Sequence, residues 1–365
     1  MLNLCHQATR FAIMKQIPET MRGVWLTGHG GPDKLSVRDD IPVPRPGSGE
    51  VLVRVAAAAL NNTDINTRTA WYSKSEGASE DGSWSGSPIR FPRIQGADVC
   101  GRIVSVGTAV SKDRIGERIL IEPCIREANG QTLEQPWYFG SECDGGFSDY
   151  TVVAARHAYK IESRLSDTEL APFPCSYSTA ENLLERSKTK TGDRVLVTGA
   201  SGGVGSAVIQ LARARQARVF AVTSQSKSDE ILRLGAEQTF AREDSLVEKI
   251  GANNIDVVID LVGGSQWPEL LDILRPGGRY AVAGAIGGHM VELDLRTLYL
   301  KDLSLFGCTV LEPEVFANLI GHIERGHISP IVAMSYPLEH ILDAQAAFSA
   351  KSHTGKIVLT LDEGR

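Results

Sequence analysis

Residues 194–215, RVLVTGASGGVGSAVIQLARAR, place an apolar run, a glycine cluster and an amphipathic stretch in direct succession. The run Val195-Leu196-Val197-Thr198 reads as a buried strand. Gly199, Gly202, Gly203 and Gly205 follow, with Ala200, Ser201 and Val204 between them, and a helix then begins. Strand, glycine turn and helix in that order form the phosphate cradle of a dinucleotide-binding βαβ unit. The glycines permit a tight turn and let the backbone approach a pyrophosphate, while the helix aims its free N–H groups and positive dipole end at the anion. The alternative is a glycine turn that only connects elements. The strand and helix on either side argue against it.

The cradle sits in a chain whose rhythm changes once. Before it, short β-type runs at 22–26, 51–57, 102–106, 118–121 and 150–153 lie between Gly, Pro and Asp turns, which predicts a barrel-like β-rich domain. After about residue 166, helical periods (178–187, 204–215, 229–234, 266–274) alternate with apolar strands (218–223, 255–262, 280–283, 303–309). That alternation predicts an α/β, doubly wound parallel sheet. Pro276-Gly277-Gly278 reads as the close of the 266–274 helix. Two further helices, 314–325 and 338–349, precede a last strand at 356–361 that returns to the first domain. Residues 1–20 are expected to be a loose N-terminal extension, with a weak organelle-targeting segment as the alternative. Residues 73–90, rich in Ser and Gly, predict a long loop that is either a lid or a surface insertion. Trp71, Tyr72 and Trp84 tip the balance towards a lid.

A length of 365 residues calls for two domains. A net charge of −6 with no basic stripe argues against a nucleic-acid partner. No apolar run is long enough to span a bilayer. The six cysteines are scattered without a CxxC pair, which suits a reducing cytoplasm and no disulfide framework.

Four stretches carry a family resemblance. They are Asn61-Asn62-Thr63-Asp64, residues 92–101 (PRIQGADVCG), residues 145–150 (GGFSDY) and the glycine cradle. Together they resemble the medium-chain dehydrogenase/reductase superfamily. This implies a GroES-like catalytic domain over 21–175 plus 311–365 and a Rossmann domain over 176–310. Within the superfamily, zinc enzymes carry Cys where this chain has Asn61 and His where it has Ala97. Only Cys175 stands at a ligand position, and one thiolate cannot hold a catalytic zinc, which takes three protein ligands. A residual Cys175/Asp98/Asp64 site is the remaining metal alternative. The pattern Asn61, Asp64, Tyr72, with Arg68 in register, is similar to the zinc-independent quinone oxidoreductases. Asn66 departs from that pattern, replacing a second tyrosine.

The resemblance implies a hydride donor, and the residues after the second Rossmann strand bear on which one. NAD-selective folds end that strand in an acid that grips the ribose 2′-hydroxyl. Here the strand ends in Ser224-Gln225-Ser226-Lys227. Ser224 and Lys227 suit a 2′-phosphate, so NADPH is the expected cofactor; a solvated loop is the alternative. Val262 and Gly263 after the fourth strand, and Gly284, Ala285 and Ile286 after the fifth, are expected to line the dinucleotide, or else to be plain turns. Without a metal, hydride addition to a conjugated enone or quinone needs hydrogen-bond donors at the carbonyl oxygen. The candidates are Asn61, Thr63 and Tyr72, with Tyr72 or water as proton source. Each has a structural alternative: Asn61 satisfying backbone, Thr63 opening a helix, Tyr72 walling the pocket. Arg68 is expected to pair with a surface acid and Asp64 to anchor its loop. The expected activity is therefore NADPH-dependent reduction of quinones or α,β-unsaturated carbonyls, a small-molecule reaction. The rivals are an alcohol or aldehyde dehydrogenase of the same superfamily, zinc-dependent or metal-free, and an inactive nucleotide-binding protein. The superfamily also implies a homodimer through the Rossmann edge strand at 303–307.

Overall fold

Six parallel strands form the core of the nucleotide-binding half, as a computed structural model covering residues 17–74 and 81–361 shows. Across the sheet they run Gln238–Phe240, Arg218–Val222, Arg194–Val197, Ile255–Asp260, Leu274–Val282, Ser304–Gly307. The first strand in sequence lies at the centre and the order reverses beside it, the doubly wound arrangement whose cleft opens at the carboxyl ends of the strands. Both faces are buried. Val195 and Val197 enter one apolar cluster while Leu196 enters another on the opposite face, as a period of two requires. Most of the expected extension (1–16) and part of the 73–90 loop (75–80) lie outside the described residues.

One reading of the sequence is corrected here. Pro276-Gly277-Gly278 does not close the preceding helix, which ends at Ile273. The segment belongs to the strand Leu274–Val282. Ile255 faces Leu274 but Val257 faces Arg279, so the extra residues bulge out of the ladder. Gly277 supplies the positive φ, +72°, that the bulge needs.

The second half is built on a sheet ordered Ala158–Lys160, Arg118–Ile121, Asp98–Val106, Glu50–Ala59, Lys356–Thr360, Val332–Pro337, with Tyr150–Ala154 also on Glu50–Ala59. The chain's last strand does return to it: Val358 faces Ala59 in antiparallel register. The structure adds a parallel neighbour, Val332–Pro337, and a hairpin of Cys124–Ala128 with Gln131–Tyr138. Helix Phe173–Arg186 runs through the expected division at 175/176. Its first turn faces the other half and its body packs on the helices Gly203–Ala214 and Val315–Glu324. No helix among the described residues is long and apolar enough to cross a membrane.

Candidate active site

Between the halves lies a cavity of about 310 Å³ whose walls come from both. Its Rossmann wall is the cradle. Gly199 takes φ +60°, and a Cβ on Gly205 would stand 2.4 Å from the Gly199 carbonyl oxygen, so no side chain fits at that turn. Gly199, Ser201, Gly202, Gly203, Val204 and Gly205 line the cavity, with Gly284, Ala285 and Ile286 beside them. Ala200 turns into the core. Val262 and Gly263 also stand back, and Leu261 takes the place on the wall. Their loop is fixed from behind. The buried Asp260 accepts the Val262 and Gly263 N–H groups at 2.9 and 3.1 Å, and the Tyr280 hydroxyl at 2.5 Å. Gly287 N–H donates to the Val262 carbonyl at 2.7 Å, tying this loop to the 283–288 loop.

Lys227 reaches the cavity but Ser224 does not; Ser224 lies 3.3 Å from the Ser226 hydroxyl. The Lys227 ammonium donates to the Lys351 and His353 carbonyls at 3.0 and 2.6 Å, bridging the two halves. Arg242, Lys351 and His353 join it on the wall. Burial, together with Lys356 and Lys227, pushes the Lys351 ammonium down to about 8. His353 Nδ1 is buried with no partner among the described residues. No Asp or Glu among the described residues lines the cavity. Sequence reasoning missed Arg242, Lys351 and His353, because they come from three separate segments with no spacing to link them.

The floor is a buried polar network. Asn61 caps the helix Asn62–Arg68, and its N–H is accepted by the Asp64 carboxylate at 2.8 Å. Asp64 thus anchors its loop, and burial pushes its carboxyl up to about 7. Both Asn61 Nδ2 protons are used, by Asp98 Oδ2 at 2.9 Å and by the Ala59 carbonyl at 3.2 Å. Its Oδ1 accepts from Lys356 Nζ and, at 3.3 Å, from the Ser176 hydroxyl. Lys356 Nζ also donates to Asp98 Oδ2 at 2.7 Å. Asp98 Oδ1 accepts the Cys175 N–H at 2.5 Å. Asn61 therefore has no proton left for a substrate oxygen in this arrangement.

Above the floor, the Tyr72 hydroxyl donates to Thr63 Oγ1 at 3.1 Å, and the Asn66 side chain bonds to that same phenol. Burial raises the Tyr72 phenol, keeping it protonated. Tyr72, Trp71, Trp84 and Tyr138 make an aromatic wall. Trp84 packs on Tyr138 at 5.0 Å, and its N–H is held by the Ser141 hydroxyl at 3.1 Å. The described part of the 73–90 loop thus builds pocket wall. Arg68 turns away, buried, and donates to the Gly30 carbonyl at 2.7 Å, so it does not make the expected surface ion pair.

The donors beside Asn61 do not fit a zinc ion. Cys175 shares an apolar cluster with Ala97 and Tyr138. Burial pushes its thiol up to about 12, and it takes a hydrogen bond from the Tyr138 hydroxyl at 3.0 Å. Asp98 is already neutralised by an ammonium. No group of three His, Cys, Asp or Glu among the described residues is placed to hold a metal.

Known proteins match this architecture along nearly all of its length. Residues 47–163 match the alcohol dehydrogenase GroES-like domain and 203–325 the zinc-binding dehydrogenase domain. The human quinone oxidoreductase is 30% identical over 355 residues, covering 93% of this chain and 98% of that protein. Acryloyl-coenzyme A reductase of Metallosphaera sedula is 29% identical, with 93% and 100% covered. A solved structure from Sinorhizobium meliloti 1021, provisionally named an alcohol dehydrogenase, is 44% identical. It covers 96% of this chain and 99% of its own at a TM-score of 0.88. The chain belongs to the medium-chain dehydrogenase/reductase superfamily of pyridine-nucleotide oxidoreductases, with quinone oxidoreductases among its relatives.

Proposed function

We propose that this protein uses NADPH to reduce a quinone or an α,β-unsaturated carbonyl, with no metal ion. The observation that carries the NADPH assignment is the charge of the cavity wall. Lys227, Arg242, Lys351 and His353 line it and, among the described residues, no carboxylate does. A carboxylate there would repel a 2′-phosphate; Lys227, Arg242 and Lys351 attract one, and His353, kept neutral by burial and the neighbouring lysines, offers a hydrogen bond. The cradle that a Cβ at Gly205 would fill, and the unpartnered His353 Nδ1, fit the same ligand.

Bound NADPH supplies the hydride, so the chain's own work is to hold the substrate and stabilise charge. Thr63 accepts from Tyr72, which leaves the Thr63 proton free to meet the substrate oxygen. Tyr72, fed by Asn66, holds that hydroxyl in register and is the proton source through it. The aromatic wall excludes water from a flat, apolar substrate. A conjugated system spreads the developing charge, so the Thr63 donor backed by Tyr72 has less to stabilise than it would at an isolated carbonyl.

Equilibrium titration of NADPH and NADH, followed by turnover on a panel of quinones, enones and aldehydes, tests this reading. Tighter NADPH binding and reduction of enones or quinones are expected. Equal NADH binding overturns the cofactor assignment, and binding without turnover on any of the panel overturns the activity. The 44% identity to a protein named as an alcohol dehydrogenase favours one second reading, alcohol or aldehyde oxidation. Stoichiometric zinc in the purified protein, lost together with activity, would establish it.

We also propose a homodimer. Among the described residues the edge strand Ser304–Gly307 pairs on one side only, with Leu274–Val282. Met290, Leu295, Tyr299 and Leu300, in the segment that leads into it, are 62–81% exposed. An apolar edge of this kind needs cover. Sedimentation of a monomer at working concentration would contradict it. The five free cysteines among the described residues suit a reducing compartment, and we place the protein in the cytoplasm; fractionation with an organelle would contradict that.

A further inference from the structure

A lysine at the start of the last strand is the least expected member of this site. Lys356 is 3% exposed. Its three ammonium protons go to three acceptors from three separate segments: Asn61 Oδ1, Asp98 Oδ2 at 2.7 Å and Ser176 Oγ at 3.1 Å. A buried ammonium is costly unless every proton is used and a counter-charge is close, and here both conditions hold. Two further contacts point at the cofactor cradle. The Gly355 N–H donates to the Ser201 carbonyl at 3.1 Å. A Cβ on Gly203, at the start of the cradle helix, would stand 2.7 Å from Lys356 Cδ and 2.7 Å from Ser176 Oγ. One side chain therefore touches the cradle along its stem and the substrate floor at its tip. The tip lies among the residues where zinc members of the superfamily carry their ligands, Asn61 and Cys175.

We propose that Lys356 is the positioning residue of the reaction centre: its ammonium orients the Asn61 carboxamide and sets the substrate floor against the nucleotide cradle. This rests on the reading of the cavity as a site of hydride transfer. Lys356 acts through Asn61, because its own protons are spent. Asn61 is the residue from which the Thr63 helix starts, its backbone N–H held by Asp64 in that helix, so a shift of Asn61 moves the hydroxyl that meets the substrate.

Removing Lys356 alone leaves the Asp98 carboxylate buried without its counter-ion, which by itself costs stability; the informative variant is therefore the neutral pair, Lys356→Met with Asp98→Asn. Melting temperature, steady-state kinetics and the emission of bound NADPH are measured on the wild type, on Lys356→Met, on Lys356→Arg and on the pair. The proposal expects the pair to regain the wild-type Tm while kcat stays down about a hundredfold, the scale of a misplaced reaction geometry. KM is expected to change little. Lys356→Arg is expected to restore part of kcat, because it keeps the charge. Recovery of kcat together with Tm in the pair overturns the proposal, since Lys356 would then only neutralise Asp98. If the wild type binds NADPH but turns over no substrate, the proposed function fails. The inference is then decided by nicotinamide emission: an altered spectrum in the pair upholds it, and a spectrum identical to the wild type overturns it.

Discussion

The cradle and the floor of the same cavity are built in opposite ways. The cradle is one continuous segment, 199–205, whose shape is set by backbone: a positive φ at Gly199 and a contact at Gly205 that admits no side chain. The floor is assembled from side chains of Asn61, Asp98, Ser176 and Lys356, which meet only because three strands of one sheet and a helix are folded together. A site made of backbone tolerates charge changes and no added volume. A site made of buried charges tolerates isosteric change and no unpaired charge. Four predictions press on that contrast.

The largest effect is expected at the floor. Asp98→Ala leaves the Lys356 ammonium buried without its counter-ion, and the cost should be about 3–5 kcal/mol, the range for one orphaned partner of a buried pair. Chemical denaturation measures it; a loss comparable to a surface substitution would show that the network is not the keystone of this half. Next comes Thr63→Val, which keeps the shape and removes the donor. We expect the barrier to rise by about 3 kcal/mol, the scale of one oxyanion donor, with a fall in Tm no larger than the loss of the single hydrogen bond from Tyr72 brings. Single-turnover kinetics decide it, and an unaltered rate returns Thr63 to a purely structural role.

These two targets differ in how far the sequence disclosed them. Gly199 to Gly205 were legible because turn, strand and helix are adjacent in the chain. Asn61, Thr63 and Tyr72 were legible through one short motif, although the occupied Nδ2 of Asn61 was not. Asp98 entered the sequence reading only as a member of the residual metal alternative, and nothing there pointed to a lysine partner. Lys356 gave no signal: a lysine opening a strand reads as a solvent-exposed residue, and its three acceptors lie 180–295 positions away. The bulge at Gly277 was misread because Pro-Gly-Gly ends helices and interrupts strands alike, and only the pairing of Val257 with Arg279 distinguishes them.

Smaller effects are expected at the cationic wall, which lies between the two cases. Lys227→Ala should reduce the preference for NADPH over NADH about tenfold, one charge-assisted hydrogen bond's worth. Parallel titrations with both cofactors read this, and a proportional loss for both would mean that Lys227 only clasps the halves through the Lys351 and His353 carbonyls. The smallest effect is the pH dependence. Lys351 is pushed down to about 8, so it loses its proton as pH rises through that value. A 2′-phosphate favours the protonated form, so NADPH affinity should fall severalfold, about 1 kcal/mol at most, between pH 7 and 9, with proton uptake on binding near pH 8. NADH affinity should change less, and Lys351→Met should flatten the difference. A fall of the same size for both cofactors would place the titrating group elsewhere.

All of this presumes that organic groups alone carry the reaction. The most direct test is NADPH oxidation with an enone or quinone acceptor, using enzyme stripped by a strong chelator and verified metal-free. Undiminished turnover is the predicted result. Activity that vanishes on stripping and returns with added zinc would contradict the account.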